Sequence, residues 1–230
     1  MARKPEAEKH GKSNRDKIVD ALMALLAEKP IEEIGFGEIA ARAGLTLAQC
    51  RGEFASLVAI LAAHMKEVDR KVLAGGEPDV AEEPPRERLF DVLMRRLETL
   101  GPRKEAMRSL LRSAGRSPGL AIALSGLAVR SMQWMLTAAD IGAAGTRGMV
   151  RAQGLALLYG QVLRTWVDDD DPGLARTMAA LDRQLARGAR WSGFVDDLCR
   201  LVPGRWRRRE RLRRRTRHGN GGAGEDPVAA

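Results

Sequence analysis

The side chains best suited to holding a phosphate or a base edge are grouped in one short segment, residues 46–51. Gln49 carries a donor and an acceptor, which together match the major-groove edge of adenine. Arg51 can hold a phosphate or a guanine, and Thr46 can reach either a phosphate or a base edge. Leu47 lies in the same segment and completes this candidate set. The chemistry indicated is hydrogen bonding and charge pairing with nucleic acid.

Two short helices joined by a glycine turn are predicted to position these side chains, within residues 37–54. The first helix has a buried stripe at helical spacing, formed by Ile39, Ala40 and Ala43. Gly44 stands where the chain must leave that helix in a left-handed conformation. Thr46 then caps the second helix, with Gln49 as its capping-box partner. This layout is a helix-turn-helix, whose second helix can enter a major groove.

The surrounding chain extends this unit to a three-helix head. An apolar-periodic helix over residues 18–30 precedes it, Phe54 ends it, and an amphipathic helix begins at Leu57. This order resembles the DNA-binding head of the TetR family of repressors over residues 14–74. The resemblance implies an all-α fold and double-stranded DNA as the partner. It also implies a transcriptional regulator, specifically a ligand-responsive repressor.

The sequence departs from the family pattern at the positions that touch phosphates. Arg51 stands where the family has a tyrosine, Glu53 where it has histidine or tyrosine, and Leu57 where it has lysine. Arg51 can compensate for the tyrosine, whereas Glu53 would repel a phosphate. Gly52 weakens the short helix by about 1 kcal/mol relative to alanine. We therefore expect a retained scaffold with weakened DNA-facing chemistry.

Other basic residues are candidates for contacting the DNA backbone. Arg42 lies on the first helix of the helix-turn-helix, and Arg15 and Lys17 follow a polar segment, residues 1–13. We expect residues 1–13 to be disordered. Arg15 and Lys17, with Lys12, would then act as a flexible arm reaching the backbone or a minor groove. Arg42 and Lys17 also fit a second interpretation, as solvated surface residues.

Composition excludes several classes of protein. Aromatic residues make up 4% of the 230, and β-branched alternation is scarce, so we predict no strands. No uninterrupted apolar run approaches the length of a membrane span, and no signal-like apolar segment follows residues 1–6. We therefore expect a cytoplasmic protein. Cys50 and Cys199 lie in separate helical patterns and are expected to be buried thiols.

The net charge of +9 is concentrated at the two ends of the chain. Residues 1–17 carry six basic and three acidic groups, and residues 205–217 carry nine arginines and one glutamate. The helix-turn-helix is neutral overall. The arginines lie in a predicted flexible tail, residues 203–230. Such a segment can attract nucleic acid or an anionic membrane, or serve only to solubilise the chain.

A second helical region is predicted over residues 86–202, beyond a glycine- and proline-rich boundary at residues 75–85. The resemblance implies that this region is a ligand-binding and dimerisation domain. Its long helices, predicted at residues 146–167 and 172–187, would form a four-helix bundle with a second copy. The homodimer would thus form through residues 146–187, using Gly154, Leu155, Leu158, Gly160, Val162, Ala175 and Ala179. The alternative is that these residues form ordinary intrachain core.

The resemblance also implies a cavity for an apolar small molecule or lipid between the body helices. Candidate lining residues are methionines and aromatics at helical spacing: Met94, Met107, Trp134, Met135, Tyr159 and Trp166. Methionine adapts to irregular apolar shapes, and tryptophan and tyrosine add a polar tip. The same residues equally fit plain core packing.

Two other function classes remain as alternatives. The run from Trp166 to Leu185 is similar to a region of the coenzyme-Q-biosynthesis lipid-binding proteins, which share the TetR fold. That similarity would make the chain a lipid-binding or membrane-peripheral accessory protein. Enzymatic chemistry has little support, because the three histidines are isolated and no nucleophile has a base nearby. The carboxylates of residues 168–171 fit a helix start better than a cation site. We predict no cofactor, metal or catalytic residue.

Overall fold

A computed structural model describes residues 12–75 and 83–201, with side chains to residue 188. The described part is all-α, as predicted, and contains no strand. Its helices are α1 (Asn14–Glu28), α2 (Phe36–Ala43), α3 (Leu47–Glu53), α4 (Leu57–Ala74), α5 (Pro85–Leu100), α6 (Lys104–Arg116), α7 (Pro118–Ala138), α8 (Gly145–Val167) and α9 (Ala175–Leu201). Short 3-10 turns at Ile31–Glu33 and Gly101–Arg103 were not predicted.

By its internal contacts the chain divides into two units, with the boundary between residues 189 and 190. In the second unit the structure describes the backbone of residues 190–201, which is helical. Several predictions lie outside the described residues. These are the arm of residues 1–11, the tail of residues 203–230 with its arginines, and the side chain of Cys199.

The head, α1 to α4, is held by a core that its own apolar spacing builds. Ser13 caps α1, accepting a hydrogen bond from the Asp16 amide at 3.2 Å. The buried side chains of α1 meet those of α2, α3 and α4: Ile18, Leu22, Leu26, Ile39, Cys50, Phe54 and Ile60. Burying each large aliphatic side chain stabilises the fold by about 1.5–3 kcal/mol. This core orients α3.

The body, α5 to α9, has a second core. Its larger buried members come from α4, α5, α7, α8 and α9: Val72, Leu93, Leu97, Met132, Met135, Leu155, Tyr159, Trp166 and Leu181. Two predicted dimer residues, Leu155 and Val162, are 5% and 1% exposed and belong to this core. For these two residues the structure fits the alternative interpretation, intrachain core, and the homodimer itself stays a prediction.

One helix, α6, contacts both the head and α8. Ala106 and Leu110 pack into the head core, and the Ser109 hydroxyl donates to the Lys29 carbonyl at 3.2 Å. At the other side, Lys104 donates to the Asp169 carbonyl and Arg108 to the Val167 carbonyl, where α8 ends. Cations suit this position because the carbonyls at a helix C-terminus carry partial negative charge.

The start of α9 differs from the predicted one. The helix begins at Ala175 and not at Pro172, so Leu174 occupies the cap position and Asp171 lies three residues before it. The Asp171 carboxylate still accepts from the Ala175 amide at 3.0 Å. Asp169 is buried and accepts from the Thr177 amide at 2.8 Å and hydroxyl at 2.6 Å. The predicted end of this helix at residue 187 is also wrong, since α9 is continuous to Leu201.

Among the described residues, α7 is the one helix long and apolar enough, by length and composition, to cross a membrane. No such helix was predicted, because polar residues interrupt its apolar run. Its C-terminal half buries Val129, Met132, Met135 and Leu136, and its N-terminal half packs on the head core. A core helix of a globular unit meets the same criterion.

Candidate nucleic-acid interface

The turn that presents α3 is fixed by glycine geometry and a reciprocal cap. Gly44 has φ +67°, and the Leu45 amide donates to the Ala40 carbonyl at 3.0 Å. A side chain at Gly44 would be strained in this left-handed conformation. Thr46 Oγ1 accepts from the Gln49 amide at 3.2 Å, and Gln49 Oε1 accepts from the Thr46 amide at 2.9 Å. The predicted capping box is confirmed.

The outer face of α3 carries the candidate contact residues. Cys50 and Phe54 are buried in the head core, whereas Thr46, Leu47, Gln49 and Arg51 are exposed. Leu47 is 57% exposed, so its side chain is available to a partner. The structure thus leaves all four candidate side chains accessible, and we call these four residues the α3 face.

The Gln49 side chain is already engaged in the cap. Its carbonyl oxygen holds the Thr46 amide, which leaves its amide nitrogen as the outward-facing donor. Bidentate recognition of adenine needs both the oxygen and the nitrogen. Gln49 must therefore open the capping box to read adenine, or act as a donor alone.

Arg15 does not belong to a flexible arm. It lies in the first turn of α1, with its guanidinium 4.3 Å from the centre of the Phe54 ring. Its Nη1 lies 3.9 Å from a Glu53 carboxylate oxygen and donates to the Glu53 carbonyl at 3.5 Å. Arg15 thus offsets part of the Glu53 charge that would repel a phosphate. A separation of 38 residues concealed this pairing in the sequence.

The other basic candidates differ in how strongly they are held. Arg42 makes a two-pronged contact with Glu28, with both distances 2.8 Å. This hydrogen bonding raises the pKa of Arg42 and lowers that of Glu28. Lys17 and Arg51 are exposed, and no described residue pairs with either one. Lys17 and Arg51 can therefore contact a phosphate without first breaking an ion pair.

Leu57 explains one departure from the family pattern. Its side chain is partly buried against the head core at the first position of α4. A lysine there would exchange this apolar packing for a charge. The position therefore contributes to packing in this chain.

The six candidate ligand residues do not all lie in one place: five belong to or pack against the body core, and one is exposed. Met135, Tyr159 and Trp166 are buried in the body core, and Met94 and Met107 pack against it. Trp134 is 57% exposed on α7 and does not join them. A groove of about 370 Å³ lies elsewhere, between α1 and the start of α6, and includes Met23, Ala27, Pro102 and Lys104.

A buried polar cluster in the body was missed by sequence reasoning. The Arg96 guanidinium pairs with the Asp69 carboxylate, which also accepts from the Ser131 hydroxyl at 2.7 Å. Arg96 and Ser131 are each 2% exposed. A single charge inside an amphipathic helix is an insufficient signal, because the pairing becomes visible only when α4, α5 and α7 are assembled.

The described residues contain no group of three side chains suited to holding a metal ion. His64 is largely buried on α4, and its Nε2 finds no described hydrogen-bond partner. Burial, followed by the nearby Arg103, Arg96 and Lys71, lowers the pKa of His64 to about 4. His64 is therefore neutral at physiological pH.

Comparison with known proteins identifies solved structures that share this arrangement of helices. No family model matches the chain, and no curated protein matches it. Among solved structures, a TetR transcriptional regulator from Nitrosomonas europaea aligns with TM-score 0.61 and 22% identity, over 77% of this chain and 99% of that one. A TetR transcriptional regulator from Rhodococcus sp. RHA1 aligns with TM-score 0.56 and 21% identity, over 76% and 95%. A putative TetR-family regulator from Syntrophomonas wolfei aligns with TM-score 0.53 and 14% identity, over 78% and 94%. The chain therefore has the fold of the TetR-family transcriptional regulators.

Proposed function

We propose that this protein is a cytoplasmic, DNA-binding transcriptional regulator that acts as a repressor and responds to a small apolar ligand. The observation that carries the proposal is the α3 face, exposed at the second helix of a complete three-helix head. Residues 14–74 would form the DNA-binding domain and residues 86–202 the ligand-binding and dimerisation domain. The fold shared with TetR regulators supports this assignment by analogy.

The α3 face would enter the major groove with its N-terminal end first. Leu47 would meet the apolar thymine methyl group, and the Gln49 amide nitrogen would donate to a base acceptor. Arg51 would hold a guanine or a phosphate. Lys17 on α1 would contact the flanking backbone, while Arg15 remains beside Glu53.

A homodimer through residues 146–187 would supply two heads for one operator. Exposed apolar side chains on α8 and α9 support it: Met149, Val150, Leu157 and Met178. Leu157 is 61% exposed, and Gly154 on α8 and Ala175 and Ala179 on α9 are exposed as well. An exposed apolar surface of this kind is typical of an interface between copies.

Ligand binding in the body would reach the heads through α6. The cations of α6 hold the carboxyl end of α8, and its apolar side packs on α1. A ligand that shifts α8 would therefore displace α6 and change the spacing of the two heads. The ligand could shift the equilibrium between the DNA-binding and the non-binding spacing of the heads only by the difference in free energy with which it binds these two states.

A titration with DNA flanking the protein's own gene tests the proposal. Fluorescence anisotropy would compare this duplex with a shuffled duplex of equal length, over a series of salt concentrations. We expect preferential binding that weakens with salt, because phosphate contacts release counterions. Arg51→Ala should lower the affinity by at least about fivefold. Arg130→Ala, an exposed arginine on α7, serves as the matched control and should change nothing.

Two results would refute the assignment. One is equal affinity for the flanking and shuffled duplexes. The other is binding that the Arg51 and Arg130 variants weaken equally, because a diffuse basic surface would then explain it. The basic segment 205–217 lies outside the described residues, so a variant ending at residue 204 should be titrated in parallel. Its expected contact with nucleic acid or an anionic membrane stays a prediction.

A further inference from the structure

The helix cap of α3 holds the Gln49 side chain through its oxygen. Gln49 Oε1 accepts from the Thr46 amide at 2.9 Å and from the Thr46 hydroxyl at 3.2 Å. The same hydroxyl accepts from the Gln49 amide at 3.2 Å, so the two residues share three hydrogen bonds. A carbonyl oxygen has two lone pairs, and both acceptor positions of the Gln49 side chain are therefore occupied.

These contacts also fix which way round the Gln49 side-chain amide lies. A main-chain N–H donates and cannot accept, so the atom that faces the Thr46 amide must be the oxygen. Gln49 is exposed at the third position of α3, and none of the described residues accepts from its Nε2. Gln49 thus offers two N–H groups, and no acceptor, to a molecule that contacts the α3 face.

The bases differ in how well they match two hydrogens without an acceptor. In the major groove guanine presents two neighbouring acceptors, N7 and O6. Adenine presents N7 beside its N6 amino group, which is itself a donor and would face the Gln49 amino group unfavourably. Thymine has the single acceptor O4, and cytosine presents a donor amino group. Guanine is therefore the base that can use both hydrogens of Gln49.

Recognition of adenine would require the cap to open. The usual pairing of glutamine with adenine uses the side-chain oxygen as an acceptor for N6. Gln49 would first have to release the Thr46 amide and hydroxyl, and each hydrogen bond given up weakens binding by about twofold to tenfold. Because α3 has seven residues, loss of its cap would also destabilise the helix that carries the α3 face.

We infer that Gln49 recognises guanine, and not adenine, in the DNA that the α3 face contacts. This inference rests on the proposed DNA-binding regulator, because it assigns the base that one residue of the α3 face distinguishes. The hydrogen bonds that stabilise the start of α3 thereby also determine its base preference, since they occupy the oxygen that adenine would need.

Gln49→Glu separates the capping role of this side chain from its role as a donor. A glutamate at this position of a capping box also accepts from the N-cap amide, so the start of α3 is retained. It has no N–H to donate. The full-length wild-type and Gln49→Glu chains would each select duplexes from one randomised pool, after thermal unfolding has established that both are folded. We expect one position of the selected sequence to change from guanine to cytosine, because a carboxylate accepts from the cytosine N4 amino group.

Substituted bases at that position then measure the contact itself. Replacing its G·C pair by A·T should weaken the wild-type chain at least about fivefold. 7-Deazaguanine lacks the N7 acceptor and keeps its base pairing, so it should weaken the wild-type chain about twofold to tenfold and leave Gln49→Glu unaffected. Ser125→Glu, at an exposed position of α7, is the matched control for charge. It should retain the guanine preference, because one added charge acts on all sequences alike.

The outcomes distinguish this inference from the regulator assignment. Any base other than guanine at the position that responds to Gln49→Glu would overturn the inference, and adenine there would mean that the cap opens on DNA. A sequence preference that Gln49→Glu leaves unchanged at every position would overturn it as well, because other side chains would then read the bases. In both cases the chain still binds a defined sequence, so the regulator assignment stands. If the wild-type chain selects no sequence, the regulator assignment fails and the inference fails with it.

Discussion

Replacing Arg96 by methionine should cost the protein a large part of its stability. The side chain is 2% exposed and pairs with Asp69, which is 8% exposed. Arg96→Met leaves that carboxylate in the interior with the Ser131 hydroxyl as its one described partner. Removing one member of a buried ion pair costs about 3–5 kcal/mol, since the other charge stays desolvated and uncompensated.

The double variant Arg96→Met with Asp69→Leu should recover most of this loss. Both charges are then absent, and residues of similar volume fill the space, an exchange that is often neutral. Ser131 loses its acceptor, which costs about 1–3 kcal/mol if its hydroxyl stays buried and unpaired. The two single substitutions should therefore be non-additive, with a coupling energy of at least about 2 kcal/mol.

Urea unfolding followed by far-ultraviolet circular dichroism would measure the cycle at one fixed protein concentration. The exposed pair Arg86 and Asp182, separated by 2.6 Å, is the matched control. Its cycle should give a coupling energy under about 1 kcal/mol, because water screens an exposed pair. A coupling energy for Arg96 and Asp69 as small as that of the control would refute the buried-pair reasoning.

Three further predictions concern a close approach, a titration and the α3 face. Gly148→Ala should destabilise the protein by at least about 1–3 kcal/mol, because a Cβ there would lie 2.0 Å from the Ala143 carbonyl oxygen. Gly126→Ala, in open space within α7, should stabilise it by about 0.5–1 kcal/mol. The pKa of His64 is about 4 when folded and 6.5 ordinarily, so below pH 6.5 the unfolded chain takes up the proton first. Stability should then fall by up to about 3 kcal/mol between pH 6.5 and 4 and be retained above 6.5. Glu53→Gln should raise DNA affinity about fivefold at low salt by removing a charge that repels phosphate.

Each of these three has its own control. Urea unfolding should show the two glycine variants moving in opposite directions, and equal losses would contradict the steric account. His64→Gln should remove the pH-dependent component assigned to His64, and an unchanged profile would assign it to other groups. Glu87→Gln, an exposed glutamate on α5, should leave DNA affinity unchanged. A similar gain in both glutamate variants would indicate a general effect of net charge.

Local signals in the sequence were sufficient to predict most of the helices. The bounds of α4 and the capping box of α3 agree with the structure, because caps and helical periodicity involve residues three or four apart. Gly44 was likewise interpretable, since its left-handed turn needs no information from elsewhere in the chain. The α3 face follows from these signals together, because the apolar side of α3 determines which side is exposed.

The remaining features depend on contacts between distant segments. Arg15 was expected in a flexible arm, and only assembly of α1 against α3 brings it to Glu53. Arg96 and Asp69 are 27 residues apart on separate helices. Trp134 was chosen by residue type, but helical phase alone could not tell the buried side of α7 from its exposed side. The continuity of α9 was missed because glycine-containing helices can still be stabilised by packing.

The hydrogen bonds from α6 to the end of α8 have a consequence for sequence variation. Lys104 and Arg108 donate to main-chain carbonyls, so the acceptors persist whatever side chains occupy residues 167 and 169. Changes of side chain at residues 167 and 169 would leave these two hydrogen bonds in place. Loss of either cation would remove its hydrogen bond together with its ion pair to Asp170 or Asp168. We therefore expect selection to act more strongly on Lys104 and Arg108 than on residues 167 and 169.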